Sequence, residues 1–137
     1  MSGAQATTPT LAIEGLTTQF STRGGTVTPV DGVSLSVLPG QILGLVGESG
    51  SGKSLTGYSI MGLIDAPGRI VSGSIRLNGR ELFGLAPDEM RKIRGNRIAM
   101  IFQDPMMTLN PVLSIETQMM ETVFAHESFD SAKARKI

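Results

Sequence analysis

At 137 residues the chain has room for one domain, which can bury about 70% of the surface its unfolded form exposes if every element finds a partner. Twelve basic residues balance twelve acidic ones, so no net field draws it to nucleic acid or to an anionic membrane surface. With no cysteine, disulfides, thiolate zinc sites and thiol catalysis are excluded, and 40% hydrophobic residues with 17 glycines fit a globular α/β protein.

Met1 to Thr10 is small and polar and reads as a mobile tail. It has neither the basic start nor the apolar centre of a secretory signal, and no apolar run approaches the length of a bilayer crossing. From Leu11 the series Leu11, Ile13, Leu16, Thr18, Phe20 alternates with one slip, predicting a strand bulged at Gly15. Ser21 to Gly25 is turn chemistry. Thr26 to Val30 reads as an edge segment, because Pro29 has no amide proton for a central ladder. Val33, Leu35 and Val37 alternate with Ser34 and Ser36, which predicts a strand with one wet face. Leu38-Pro39-Gly40-Gln41 turns the chain into the apolar run Gln41 to Val46, expected to be a strand. This opening predicts a small antiparallel sheet beside a parallel core.

Gly47-Glu48-Ser49-Gly50-Ser51-Gly52-Lys53-Ser54 follows that run and has the spacing of a phosphate-binding loop, with Leu55 to Ile64 leaving it as a helix. The order is strand, loop, helix. Glycines at 47, 50 and 52 allow backbone conformations in which successive N–H groups turn toward one anion. A helix starting near Gly52 to Ser54 adds its unpaired N–H groups and the positive end of its dipole at the same place. Lys53 is placed to bridge the β- and γ-phosphates of a triphosphate, and the Ser54 hydroxyl to ligate Mg²⁺. The bland alternative is a Gly/Ser-rich turn that binds nothing.

Ala66-Pro67-Gly68 breaks the chain after the helix, and Ser72 to Leu77 with Asn78-Gly79 predicts a strand and a tight hairpin. Pro87 opens a helix that Gly95 ends, with Asp88 and Glu89 at its start and Arg91, Lys92 and Arg94 toward its finish. Those basic residues read as a solvated face that complements the helix dipole. Ile98 to Phe102 is a continuous apolar run, expected to be a buried strand, and Gln103-Asp104-Pro105 ends it. Met106 to Pro111 is loop. Ser114 caps a predicted helix from Ile115, whose Ile115, Met119, Met120, Val123 and Phe124 share one side; they read as core, with a partner-binding methionine surface as the alternative. Asp130 or Ser131 begins a further helix. His126, the single histidine, reads as ordinary surface.

Taken together, Phe20, Gly47 to Ser54 and Ile101-Phe102-Gln103-Asp104-Pro105 resemble the nucleotide-binding domain of ATP-binding cassette (ABC) transporters. The resemblance covers Leu11 to Ile137. Val46 to Ser54 with Gln103 to Pro111 is similar to the ATPase subunits of bacterial di- and oligopeptide importers and their nickel-transporting relatives. It implies a P-loop NTPase core of parallel strands and helices with a small antiparallel β subdomain, the chain being truncated at the start of the helical subdomain. It further implies ATP and Mg²⁺ as cofactors. Phe20 would stack on adenine, Gly47, Glu48, Ser49, Gly50, Ser51, Gly52, Lys53 and Ser54 would hold the phosphates, and Gln103 would stand by Mg²⁺ and the attacking water. The alternative for Phe20 is simple packing under the sheet. A second ATP-binding subunit in a head-to-tail dimer, transmembrane permease subunits and, indirectly, a solute-binding protein would be the partners, on the inner face of the cell membrane.

Three parts of the family pattern are missing: the acidic strand ending in Asp-Glu, the signature sequence and the switch histidine, since His126 precedes the region where that histidine belongs. The one Asp-Glu pair, Asp88-Glu89, does not end an apolar strand, and Leu38 to Gln41 is only faintly similar to the family's signature sequence. Hydrolysis is therefore expected to need residues that this chain does not carry. Apolar strand edges would lie uncovered in the resembled core. A non-catalytic nucleotide-binding or regulatory module stands as one other reading, and a small P-loop kinase with an arginine lid at Arg91 to Arg97 as another.

Overall fold

A computed structural model describes residues 7–103 and 109–126, which divide into two compact units, one up to Met90 and one from Arg91. The first unit is built on β1 (Leu11–Thr22), β2 (Gly25–Val37), α1 (Lys53–Ile60), β3 (Gly68–Leu77) and β4 (Arg80–Glu81). The strands form an antiparallel sheet in the order β2-β1-β3-β4. β2 is an edge strand, which is where Pro29 requires it to be.

The register of β1 against both neighbours slips near Gly15, which has φ +58°, so the expected bulge is present. Slips free backbone amides, and hydroxyls take them: Ser34 Oγ accepts from the Gly15 amide at 2.9 Å, and Thr17 Oγ1 from the Gly32 amide at 3.1 Å. β3 approaches the bulge closely at Gly73, where a Cβ would stand 2.6 Å from the Leu16 Cα. The buried side chains Ile13, Leu16, Val30, Ile75, Leu77 and Leu82 form the apolar centre of this unit.

The β3–β4 hairpin turns at Asn78 (φ 48°) and Gly79 (φ 80°), the two left-handed residues that a tight hairpin of right-handed twist demands. Glu81 closes it. Its carboxylate accepts from the Ser74 hydroxyl, from the Ile75 amide at 2.8 Å and from the Phe83 amide at 3.1 Å, beside the Arg76 guanidinium. Partial burial pushes this carboxyl up, but the Ser74, Ile75 and Phe83 hydrogen bonds and Arg76 outweigh it, so the group lies below its ordinary value of 4.5. The sign follows from linkage: a carboxyl depressed in the folded state adds stability above its unfolded value, and that stability disappears as pH falls through the folded value. Since the Glu81 side chain is 42% exposed, solvent screening keeps the effect under about 1 kcal/mol. Glu81→Gln is expected to lower the melting temperature slightly at pH 7 and to converge with the unaltered chain in acid. An NMR carboxyl titration placing Glu81 at or above 4.5 would contradict this account.

Two expected strands are absent. Gln41 to Val46 forms no strand, with Ile42 97% and Val46 92% exposed, and Ile98 to Phe102 forms none, with Ile101 98% exposed. A strand exists only through a neighbour's backbone groups, and among the described residues neither run has one beyond an isolated parallel bridge, Arg94 to Ile98. The apolar patterns are as read; the partners that would convert them into a parallel core are not among the described residues.

α2 (Pro87–Ile93) starts with Asp88 and Glu89 and ends with Arg91 and Lys92, both exposed, as a solvated dipole-matched helix should. Arg80 at the hairpin pairs with Glu89 at 2.9 Å. In the second unit, α3 (Ile115–Phe124) is capped as expected, with Ser114 Oγ accepting from the Thr117 amide at 3.1 Å. Gln118 clamps the approach to α3, accepting from the Asn110 amide and donating to the Asn110 and Leu113 carbonyls. The core reading of its methionine side is corrected: no residue of α3 is buried, and Met119 is 66% exposed. His126 follows the helix and is half-buried against Gly95. Asp104 to Thr108, the tail up to Ala6 and the helix expected from Asp130 or Ser131 lie outside the described residues.

Candidate functional site

The loop Gly47 to Ser54 lies wholly in the first unit. Its first half is a turn, the Ser51 amide donating to the Glu48 carbonyl at 3.2 Å, with Gly50 at φ +82° in the third position that a type II turn reserves for glycine. Its second half is the entry to α1. Gly52 is the N-cap at φ +87°, ψ 0°, and provides no side-chain cap; no acidic residue occupies the first turn. The amides that open α1 therefore have no competing carboxylate in front of them, a setting that suits an anion.

Close packing requires glycine at position 52, whereas at Gly47 a rotation of the Ser51 hydroxyl would make room and at Gly50 the positive φ alone favours glycine. A Cβ on Gly47 would stand 2.6 Å from Ser51 Oγ, and a Cβ on Gly52 would collide with the Pro29 carbonyl oxygen of β2. The edge strand therefore backs the loop from behind. Lys53 folds over the loop: its ammonium donates to the Gly47 carbonyl at 2.7 Å, the Glu48 carbonyl at 2.6 Å and Ser51 Oγ at 3.2 Å. All three donors of the side chain are thereby used to gather the loop around one positive charge. Glu48, Ser49, Ser51 and Ser54 are exposed, so hydroxyls and amides of the loop are reachable from solvent.

α1 is fixed at both ends. It stops four residues before the expected Ile64, because Gly62 at φ +62° builds a left-handed cap: its amide donates to the Ser59 carbonyl at 3.1 Å and the Leu63 amide to the Tyr58 carbonyl at 2.8 Å. On its inner face Ser59 Oγ donates to the Leu55 carbonyl at 2.7 Å and lies 2.9 Å from the buried Thr18 Oγ1 of β1. Serine has a single hydroxyl proton, already given to Leu55, so Thr18 is the donor to Ser59. That buried pair ties the strand carrying Phe20 to the helix carrying Lys53.

Phe20 is half-buried near the end of β1, facing Val27 on β2 and Gly68 on β3. Gln103 is exposed and belongs to the second unit, and Asp104 beyond it lies outside the described residues. The residues placed together are thus Gly47 to Ser54, with Pro29, Thr18 and Ser59 as supports that no sequence pattern marks. Ser54 offers an exposed hydroxyl oxygen, a hard donor of the kind a small divalent cation accepts; among the described residues no group of three or more His, Cys, Asp or Glu could hold a metal ion. No helix among the described residues is long and apolar enough to cross a membrane.

A protein-family model described as ABC transporter matches residues 30–137. The chain is 46% identical over 130 residues to a Brucella abortus protein named for peptide import and ATP binding, covering 95% of this chain and 39% of that protein. It is 46% identical over 124 residues to the oligopeptide transport ATP-binding protein OppD of Escherichia coli, covering 90% of this chain and 36% of OppD. With the oligopeptide transport ATP-binding protein AppD of Bacillus subtilis the identity is 42% over 127 residues, 92% of this chain and 39% of AppD. The chain therefore spans less than two fifths of the length of these relatives. A dimeric bacterial ABC transporter cassette superimposes with a TM-score of 0.77 at 23% identity, over 92% of this chain and 53% of that one. That likeness establishes the expected α/β cassette fold.

Proposed function

The chain belongs to the ABC transporter family, and from that premise we propose that it is the MgATP-binding part of the energy-coupling subunit of a bacterial di- or oligopeptide importer. The observation that carries the reading is the loop itself: a turn, a left-handed glycine N-cap seated on Pro29, and a lysine gathered over three loop acceptors. Relatives named for oligopeptide transport and ATP binding support the choice of importer.

In this reading the amides of Gly47 to Ser54 receive phosphate oxygens, and the Lys53 ammonium exchanges its loop acceptors, the Gly47 and Glu48 carbonyls and Ser51 Oγ, for oxygens of the β- and γ-phosphates. The Ser54 hydroxyl holds Mg²⁺, which when bound neutralises charge that develops on the transferring phosphoryl group. Gln103 would act beside Mg²⁺ on the attacking water, as the resemblance implies, and Phe20 would carry the adenine. The general base that activates water is supplied by residues that this chain does not carry, and the partners are a second ATP-binding subunit, transmembrane permease subunits and, indirectly, a solute-binding protein. The subunit works on the inner face of the cell membrane.

Photolabelling with an ATP analogue reactive at its γ-phosphate, in Mg²⁺, followed by peptide mapping tests the assignment. Label on the peptide spanning Gly47 to Ser54, displaced by ATP, is expected. Label only elsewhere, or label that ATP leaves in place, would remove the loop from the site.

A further inference from the structure

Gly68 lies opposite Phe20 in the β1–β3 ladder, while Val27 lies opposite it on the other flank. A Cβ on Gly68 would stand 2.5 Å from Phe20 Cε1, 2.8 Å from Phe20 Cζ and 2.8 Å from Ile64 Cγ2. The far edge of the ring therefore lies over the Gly68 backbone, and the Ile64 side chain, which follows α1, borders the same space. No other side chain could occupy position 68 with the ring where it is. The φ of Gly68 is outside the left-handed region, so nothing in the backbone conformation itself demands glycine there. Its amide donates to the Asp65 carbonyl at 2.8 Å, a bond that any residue but proline can make. What the glycine provides is space under an aromatic ring.

A base platform needs a ring with one supported face and one accessible face. Phe20 is half-buried, and its cross-strand glycine supplies the seat. We propose that Gly68 is a positioning residue that sets the Phe20 ring as a platform for a purine base, and so determines how strongly a nucleoside triphosphate is preferred over bare triphosphate. The inference rests on Phe20 as the base contact in the proposed function. Gly68 acts through the ring and touches no ligand.

The test is a binding cycle on the full chain with MgATP and magnesium tripolyphosphate as probes, comparing Phe20→Ala, Gly68→Ala and the double variant. The unaltered chain is expected to prefer ATP, and each single variant to reduce that preference about tenfold, the order of one base stacked on one aromatic ring. Tripolyphosphate affinity should stay within about twofold, since the loop is untouched. The double variant should match Phe20→Ala alone, because an added methyl has no ring left to displace. If Phe20→Ala lowers the preference while Gly68→Ala keeps it, or if the two losses add, the role of Gly68 is overturned and Phe20 stands. Should Phe20→Ala leave the preference intact, Phe20 is no base contact and both readings fall. A loss by Gly68→Ala that is equal for both probes marks a folding defect and counts against the proposal.

Discussion

Lys53→Ala is expected to lower MgATP affinity by about ten- to hundredfold, the loss of charge-assisted hydrogen bonds worth about 1.5–3 kcal/mol. The loop itself should survive. The Gly47 and Glu48 carbonyls that Lys53 now satisfies belong to exposed residues, so water replaces the ammonium at them. Thermal unfolding without nucleotide should therefore change by no more than a few degrees, whereas the shift that saturating MgATP produces in the unaltered chain should be reduced. Titration by displacement of a fluorescent ATP analogue measures the first quantity and a melt with and without MgATP the second. Equal affinity in the two proteins would remove Lys53 from the site. A melt that collapses without ligand would show instead that the lysine holds the fold.

Gly52→Ala should do the reverse, damaging structure first and binding as a result. At φ +87° an alanine is strained by about 1–3 kcal/mol, and its methyl group points into the Pro29 carbonyl, a backbone atom that cannot rotate away. The loop must leave β2 or the N-terminus of α1 must unwind. Either movement disperses the amides that open α1, which the proposed function assigns to phosphate. A stability loss above about 3 kcal/mol is expected by denaturant titration, with MgATP affinity reduced at least about tenfold. Gly44→Ala is the control: it has no atom within 4 Å of a built Cβ and no positive φ, so its effect should stay within about 0.5 kcal/mol. Equal stability of the two variants would discard the Pro29 contact as a determinant.

Much of the first unit is legible in the sequence because its signals are local. Alternation places β1 and the Val33 to Val37 half of β2, a proline marks its Thr26 to Val30 half as edge although the two halves form one strand, an Asn-Gly pair turns the β3–β4 hairpin, and in the second unit a serine three residues ahead of Thr117 caps α3. The end of α1 departs from the expected Ile64 by four residues, since Gly62 is a left-handed cap and not an interior glycine. Gln41 to Val46 and Ile98 to Phe102 depart for a different reason. Apolar periodicity reports what a segment could bury; pairing depends on a second backbone.

By itself the sequence determined where the loop lies and which side chains it offers, since a glycine-lysine-serine spacing is a property of neighbours along the chain. Only the tertiary structure decided what supports it: the Pro29 carbonyl behind Gly52, the buried Thr18–Ser59 bond between strand and helix, and the Gly68 seat under Phe20. Each joins residues more than about twenty positions apart through shape or a single proton. Such contacts leave no periodic trace in composition, because what selects them is the space left by a distant backbone.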